Sequence, residues 1–303
     1  MIKLRNFVAR LKHILYIIPG LVLVLLFTVF SFDPVSAINP NLGLTLSPLR
    51  SEYNIAPGTS QNGVLTVVNK SDQPMEVSLT SEEFRVINQQ YDYAFNADSN
   101  LSEWIKFNTG QVSLSPGATK TITYTLAVPL SAEPGGRYIS LFASNDTEST
   151  NGGISSRQRI ASLIYLTVTG DVTREGHLLS LNSPLIIGTS GSWSAVLQNT
   201  GSTHFRSRYN IETKTIFGGQ VSSTTGEALI LPGTVRSLSG DLQLPRYPGV
   251  YKLIYTIGLG DTPAVTVTKY EIYLPIVTFA ILGAIVVSVV LLTIFIRSRR
   301  HKV

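Results

Sequence analysis

The residues best suited to chemistry in this 303-residue chain are few, beginning with its four histidines. His13 and His301 lie in the terminal segments, which leaves His177 and His204 in the main part of the chain. Zinc sites need several His, Cys, Asp or Glu ligands at short characteristic spacings. Neither histidine has such a spacing and the chain has no cysteine, so we predict no metal site and no disulfide.

Carboxylates are the next candidates, because a pair of Asp or Glu residues can cleave a glycosidic bond. Glu82, Glu83, Asp92 and Glu103 lie close together in the sequence. Scattered acidic residues on loops are more often solvated, and the chain lacks both a Gly-x-Ser-x-Gly nucleophile elbow and a phosphate-binding glycine loop. We therefore predict a protein that is not an enzyme and uses no cofactor, and we keep an envelope hydrolase as a further hypothesis.

Two short stretches are candidates for ligand binding. QQYDYAF brings together Tyr91, Tyr93 and Phe95, whose rings could stack on sugar faces. HFRSRYN places Arg206 and Arg208 on one strand face, where they could contact an acidic polymer. These five residues are our predicted ligand-binding set. The alternatives are that the rings seal a sandwich edge and that the charges guard an edge strand.

The charge of the whole chain is misleading. Its formal net charge is +5, but the two ends, 1–37 and 272–303, hold eight of the 24 Lys/Arg and only one of the 19 Asp/Glu. Residues 38–271 therefore keep 16 basic and 18 acidic residues, a net charge of −2. Nucleic-acid binding depends on a basic surface, so no nucleic-acid partner is predicted.

Both ends carry long apolar segments. Residues 272–296 contain no charge and, as a helix, would reach about 37 Å across roughly 30 Å of hydrocarbon. This predicts a transmembrane helix in the lipid bilayer, followed by a basic cytoplasmic tail at 297–303. Residues 1–37 combine basic residues, an apolar run and a Val-Ser-Ala site, which predicts a signal peptide or an uncleaved N-terminal anchor. The basic flanks predict a single-pass cell-membrane protein with 38–271 outside the cell and its C-terminus in the cytoplasm.

Strands dominate the pattern between these ends. Apolar residues alternate in LGLTLSP and TITYTLAVP, and the segments between such runs are rich in Pro, Gly and Asn. The length of 38–271 suits two domains of ordinary size. We predict a mainly β chain with two tandem immunoglobulin-like β-sandwiches, at 38–170 and 171–271, followed by one transmembrane α-helix.

The two halves repeat one another. Asn69 and Asn199 each follow an apolar strand, and Leu-Ser-Pro-Gly at 114–117 matches Ile-Leu-Pro-Gly at 230–233. In both Pro-Gly motifs, we expect Pro and Gly to be the central residues of a turn, with Gly at positive φ. The spacing between the two elements is longer in the first half, which predicts an additional excursion near 84–107.

These motifs resemble the first domain of the WxL-interacting protein family of bacterial surface proteins. The resemblance rests on Leu-Ser-Pro at 46–48, Val-x-Asn-x-Ser at 67–71, Trp-Ile at 104–105, and the later Leu-x-Pro-Gly, Val-Pro and Gly-Gly-x-Tyr. It implies a first domain that contacts peptidoglycan and a second that engages WxL-type, other surface or host proteins. It implies no catalytic residues.

We therefore predict a membrane-anchored, non-catalytic cell-surface binding or adhesion protein of the bacterial envelope. Its sandwich surfaces would contact peptidoglycan, other envelope proteins or host proteins. The alternative is an envelope chaperone or assembly factor that pairs an edge strand with secreted partners.

Overall fold

The computed structural model of the chain describes residues 43–147 and 156–275, and beyond them 277–279, 282–283, 285–290 and 293. The strands of the first half are β1 (Leu44–Ser47), β2 (Arg50–Ile55), β3 (Ser60–Asn69), β4 (Met75–Val86), β5 (Tyr93–Asn96), β6 (Ile105–Phe107), β7 (Gln111–Leu114), β8 (Thr119–Ala127), β9 (Gly135–Thr147) and β10 (Ser156–Val168). Those of the second half are β11 (Gly176–Asn182), β12 (Ile186–Ile187), β13 (Ser192–Asn199), β14 (Phe205–Thr215), β15 (Gln220–Ile230), β16 (Val235–Asp241), β17 (Gly249–Leu259) and β18 (Thr262–Tyr273). The prediction of a mainly β chain is confirmed.

The first half is a sandwich of two sheets. One sheet has the order β1-β3-β8-β6, and the other has the order β2-β10-β9-β4-β5, with β7 also paired to β4. The chain changes sheets at Pro48, because β1 pairs antiparallel with β3 whereas β2 pairs parallel with β10. Alternate apolar side chains, such as Leu65 and Val67 of β3 and Ile122 and Leu126 of β8, are fully buried between the sheets.

The second half is a sandwich with a similar strand arrangement. Its sheets have the orders β11-β13-β16 and β12-β18-β17-β14-β15. Strand β12 pairs parallel with the end of β18, as β2 pairs parallel with β10. Trp193 anchors the core, with its ring centroid 6.2 Å from that of Tyr255. The predicted immunoglobulin-like β-sandwich fold is confirmed.

The repeated asparagines perform the same structural task in both sandwiches. Asn69 and Asn199 are fully buried at the ends of β3 and β13. The side-chain amide of Asn69 donates to the backbone oxygens of Gln73 at 2.8 Å and Leu114 at 3.1 Å. The amide of Asn199 donates to the oxygen of Ile230, the equivalent of Leu114, at 2.8 Å. Each amide therefore bonds both the turn that follows its own strand and the end of a strand far along the chain.

The Pro-Gly turns also have the predicted geometry. Gly117 has a φ of 72° and Gly233 a φ of 69°, a region that favours glycine. The N–H of Ala118 donates to the oxygen of Ser115 at 3.0 Å, which closes the first turn. The predicted excursion of the first half contains β5, a short 3₁₀ helix at Asn100–Trp104, and β6.

The region after β18 contradicts the sequence prediction. Strand β18 takes the first two residues of the predicted span, because Ile272 and Tyr273 pair with Val250 and Gly249 of β17. In the part of the chain that the structure describes, no helix is long and apolar enough to cross a membrane. An uncharged run is necessary for a transmembrane helix, but the span also needs about 20 continuous helical residues.

Several predictions therefore fail together. The transmembrane helix at 272–296 is wrong, and so are the predicted bilayer contact and the single-pass location with 38–271 outside the cell, because both depended on that helix. The predicted signal segment at 1–37 and the predicted tail at 297–303 lie outside the described residues.

Candidate functional site

The first sandwich has an open edge along half of β10. Strand β9 pairs with β10 over its whole length, from Ser156 to Val168, whereas β2 covers the opposite side only from Leu163 onward. Within 43–147 and 156–275, no strand pairs with that side of residues 156–162. We call this stretch the open edge of β10.

Backbone geometry shows which groups face the opening. The N–H of Leu163 donates to the carbonyl oxygen of Leu49 at 2.9 Å, so the backbone groups of Leu163 point to the side that β2 occupies. Successive residues of a strand direct their backbone groups to opposite sides. The N–H and C=O groups of Arg159 and Ala161 therefore point to the open edge, and those of Ile160 point to β9.

The inner face beside the open edge is only partly apolar, because exposed Gln158 shares it with Ile160 and lies beside Gly43. Ile160 is half-buried and packs against the core of the first sandwich. The buried hydroxyl of Ser162 donates to the oxygen of Pro48 at 2.6 Å, where the chain crosses between sheets. Leu49, which is 63% exposed, lies where the opening ends. A strand added here would direct every second side chain toward this inner face.

The charge of Arg159 is held away from the opening. Its guanidinium carbon lies 3.3 Å from the ring centroid of Phe142 on β9, and it forms an ion pair with Glu82 on β4. Because β9 and β4 lie on the paired side of β10, the side chain leans away from the open edge. Arg159 therefore does not shield this edge in the way that charges usually protect edge strands.

The three predicted aromatic residues differ in burial. Tyr91 is 7% exposed, and its hydroxyl accepts the N–H of Leu231 at 2.7 Å. Tyr93 is half-buried, with its ring edge-on to Phe84 at 5.2 Å. Phe95 is 41% exposed. Ligand binding by these residues stays a prediction, but two of the three rings are engaged inside the protein.

Arg206 and Arg208 lie together on β14, next to the edge strand β15. Arg206 donates to Glu227 of β15 at 2.8 Å and forms an ion pair with Glu52 of β2. The side chain of Arg208 is 83% exposed, with its Nε 3.8 Å from Glu227. Both arginines therefore place charge beside the long edge strand of the second sandwich, and their binding of a ligand stays a prediction.

A buried contact joins the two sandwiches. The ring centroid of His204 lies 5.7 Å from those of Tyr138 on β9 and Tyr165 on β10. The hydroxyls of Thr167 and Thr203 lie 2.9 Å apart beside it. Burial lowers the pKa of the His204 imidazole to about 4, against a smaller opposing effect of the Glu52 charge. His204 is therefore neutral at physiological pH and packs as an aromatic ring.

Several acidic residues make contacts within the fold. Glu82 pairs with Arg159, and Asp92 accepts from Asn88 at 2.7 Å. Glu271 of β18 is 1% exposed, and burial raises the pKa of its carboxyl. Among the residues that the structure describes, no group of three or more His, Cys, Asp or Glu could hold a metal ion.

Sequence reasoning missed the open edge of β10. The segment SRQRIASLIYLTV is recognisable as a strand, and its polar start, SRQR, contrasts with the mainly apolar IASLIYLTV that follows. That change along a single strand is the available signal. It could not identify the opening, because the opening depends on where β2 begins to pair.

Three solved structures resemble this chain distantly. No protein-family model matches it, and no curated protein matches its sequence. The class 5 fimbriae chaperone CfaA has a TM-score of 0.38 at 13% identity, over 76% of this chain and 100% of that chain. The CsuC–CsuE chaperone–tip adhesion subunit pre-assembly complex of Acinetobacter baumannii has a TM-score of 0.37 at 11% identity, over 77% of this chain and 99% of that chain.

A third solved structure, also of a chaperone, resembles this chain at a similarly low TM-score. The E. coli chaperone DraB has a TM-score of 0.32 at 17% identity, over 76% of this chain and 94% of that chain. Values this low assign no function. All three are named as chaperones and none as a peptidoglycan-binding protein. The resemblance to the WxL-interacting family stays a prediction.

Proposed function

We propose that this chain is a non-catalytic assembly factor that binds an extended segment of a protein partner along the open edge of β10. The observation that supports it is that no described strand pairs with one side of residues 156–162, next to half-buried Ile160. Addition of a strand to a sheet edge is a common mode of peptide recognition. The partner would be an exported protein, in keeping with the signal segment that the sequence predicts at 1–37.

The edge defines the chemistry of the partner segment. Main-chain groups of Arg159 and Ala161 would bond to the added strand, each bond contributing about 1 kcal/mol. Alternate side chains of the segment would face Ile160 and the inner face, so apolar residues are expected at every second position. The segment would end near Leu49, because β2 occupies the edge from Leu163 onward.

Two observations favour this edge over other surfaces. The long edge strand β15 has charged residues beside it, with Glu227 paired to Arg206 and Arg208. Glycan binding by the aromatic stretch has less support, because Tyr91 and Tyr93 are engaged in internal contacts. The role resembles that of the chaperones named above, but the proposal rests on the edge geometry and not on that likeness.

A proline substitution tests the proposal. Ala161→Pro removes an N–H that points to the open edge and leaves the bonds from β10 to β9 in place. The control Ala161→Ser keeps the N–H and a similar side-chain size. The probe is a fluorescent nine-residue peptide of alternating valine and threonine, titrated into the full chain and followed by polarisation.

The expected result is saturable binding to the wild-type chain and to Ala161→Ser, with at least about tenfold weaker binding to Ala161→Pro, the effect of one or two lost bonds and a steric clash. Hydrogen exchange confirms in parallel that β9 keeps its protection in both variants. Equal binding by Ala161→Pro would exclude the edge as the site. The absence of binding by this peptide and by a display library of extended nine-residue peptides would exclude strand pairing altogether.

A further inference from the structure

The excursion of the first sandwich reaches the second sandwich through one hairpin turn. This turn, residues 87–92, connects β4 to β5 and is closed by a bond from the N–H of Ile87 to the oxygen of Asp92 at 3.0 Å. The side chains of Asn88 and Asp92 bond across it at 2.7 Å. Tyr91 has a φ of 70°, a left-handed conformation that is unfavourable for a residue with a Cβ atom. The turn therefore holds Tyr91 in a strained backbone position.

The hydroxyl of Tyr91 completes a small hydrogen-bond ring in the other sandwich. It accepts the N–H of Leu231 at 2.7 Å and lies 3.0 Å from Oγ1 of Thr234. The hydroxyl of Thr234 donates its proton to the oxygen of Leu231 at 2.8 Å, so the Tyr91 hydroxyl must be the donor to Thr234. Burial raises the pKa of Tyr91, which keeps that proton on the phenol.

Two further contacts hold the same turn. The guanidinium of Arg236 lies 4.1 Å from the ring centroid of Tyr91, within range of a cation–π contact. The N–H of Ser237 donates to the oxygen of Gln89 at 2.9 Å. The partners span 231–237, the second Pro-Gly turn and the start of β16. The equivalent turn of the first sandwich ends in Ala118, which has no hydroxyl to take part in such a ring.

The sandwiches are also joined where the chain passes between them. There the N–H of Thr173 donates to the hydroxyl of Ser202 at 2.9 Å, and the N–H of Gly136 donates to the oxygen of Ser202 at 2.9 Å. Close to it lie the contacts of His204 with Tyr138 and Tyr165 and the Thr167–Thr203 pair. The Tyr91 turn is a further attachment, far along the chain from the linker. Leu163 and Tyr165 of β10 are buried in the same cluster as Tyr91 and Leu231.

We infer that the turn at 87–92 is a latch that fixes the second sandwich against β10. With the latch closed, Leu163 and Tyr165 stay buried and the C-terminal half of β10 is held in place. With the latch open, the contacts of His204, Thr203 and Arg206 still join the sandwiches, but the residues of β10 that cluster with Tyr91 become more exposed. The strain at Tyr91 persists because the closed latch supports it, as strain at switch regions generally requires. The latch thus controls the strand that carries the open edge.

Hydrogen exchange on the full chain tests the latch without any partner, so its outcome is independent of the proposed function. Tyr91→Phe removes the hydroxyl and leaves the ring in place. We expect exchange in peptides covering 163–168 and 229–237 to become about tenfold faster, the effect of one unsatisfied buried group. Peptides covering 60–69 and 119–127, in the core of the other sheet, should be unchanged.

Three further variants make the test decisive. Tyr93→Phe is the matched control, because its hydroxyl lies 3.4 Å from that of Tyr165 and outside the hydrogen-bond ring; it should change exchange less than twofold. Thr234→Ala should accelerate exchange about as much as Tyr91→Phe does. In the double variant, the acceleration should be smaller than the product of the two single accelerations, because both substitutions act on one hydrogen-bond ring. Any of three results would overturn the latch. Exchange at 163–168 could stay unchanged in Tyr91→Phe, exchange could accelerate equally over both sheets, or the acceleration in the double variant could equal the product of the two single accelerations.

Discussion

His204 makes the stability of this chain depend on pH. Its imidazole is buried between the sandwiches against Tyr138 and Tyr165, and burial lowers its pKa from 6.5 to about 4. Between these values the unfolded chain binds a proton at His204 and the folded chain does not. The contribution of His204 to stability is therefore fully present above about pH 6.5 and is lost as the pH falls toward 4.

The size of the effect follows from the pKa shift. One pKa unit corresponds to about 1.4 kcal/mol, so lowering the pH from 7 to 4.5 should reduce the free energy of unfolding by about 2 to 3 kcal/mol through His204 alone. Glu271 acts in the opposite sense. Burial raises its pKa, so its contribution is present below its unfolded pKa and is lost as the pH rises through the folded value.

A comparison of variants isolates the contribution of His204. Urea unfolding of the full chain at pH 7 and pH 4.5 is measured for the wild type, His204→Asn and His177→Asn. His177 is exposed on β11, so its variant should follow the wild type. The wild type should lose about 2 to 3 kcal/mol more than His204→Asn over this range. If the wild type and His204→Asn lose the same amount, the burial argument is refuted.

The remaining predictions concern two other buried polar groups. Asn199→Ala should lower the free energy of unfolding by about 3 kcal/mol, because it leaves the backbone oxygens of Thr203 and Ile230 without their donor. Asn69→Ala should cost a similar amount, and a loss below about 1 kcal/mol in urea unfolding of either variant would contradict the repeat argument. Glu271→Gln should stabilise the chain at pH 7, because the amide carries no charge into the core. This gain in the free energy of unfolding should disappear near pH 4, where the glutamate is protonated. A lower urea midpoint for the variant at pH 7 would contradict the prediction.

Much of the local structure could be predicted from the sequence. Alternating apolar residues identified β1 and β8, because side chains of a strand alternate between its faces. Pro-Gly predicted the turns at Gly117 and Gly233, because few other residues adopt positive φ. Asn69 and Asn199 revealed the internal repeat before their hydrogen bonds were known. These features depend on the conformational preferences of a few neighbouring residues.

The failures have physical reasons. An uncharged run at 272–296 satisfied the composition of a transmembrane helix, but no helix among the described residues is long and apolar enough to span a membrane, and Ile272 and Tyr273 pair with β17. The aromatic residues of QQYDYAF looked equivalent in sequence, yet Tyr91 is buried and Phe95 exposed. Composition alone does not distinguish a ring that faces solvent from one that a second sandwich covers.

The sequence by itself thus determined the β class, the positions of the main turns and the repeat of one sandwich arrangement, all of which follow from short-range patterns. Only the tertiary structure decided that β2 leaves half of β10 uncovered and that Tyr91 bonds to Leu231, 140 residues away. Both are consequences of how distant segments pack. Such contacts depend on the position of the whole chain in space, which no local pattern of residues specifies.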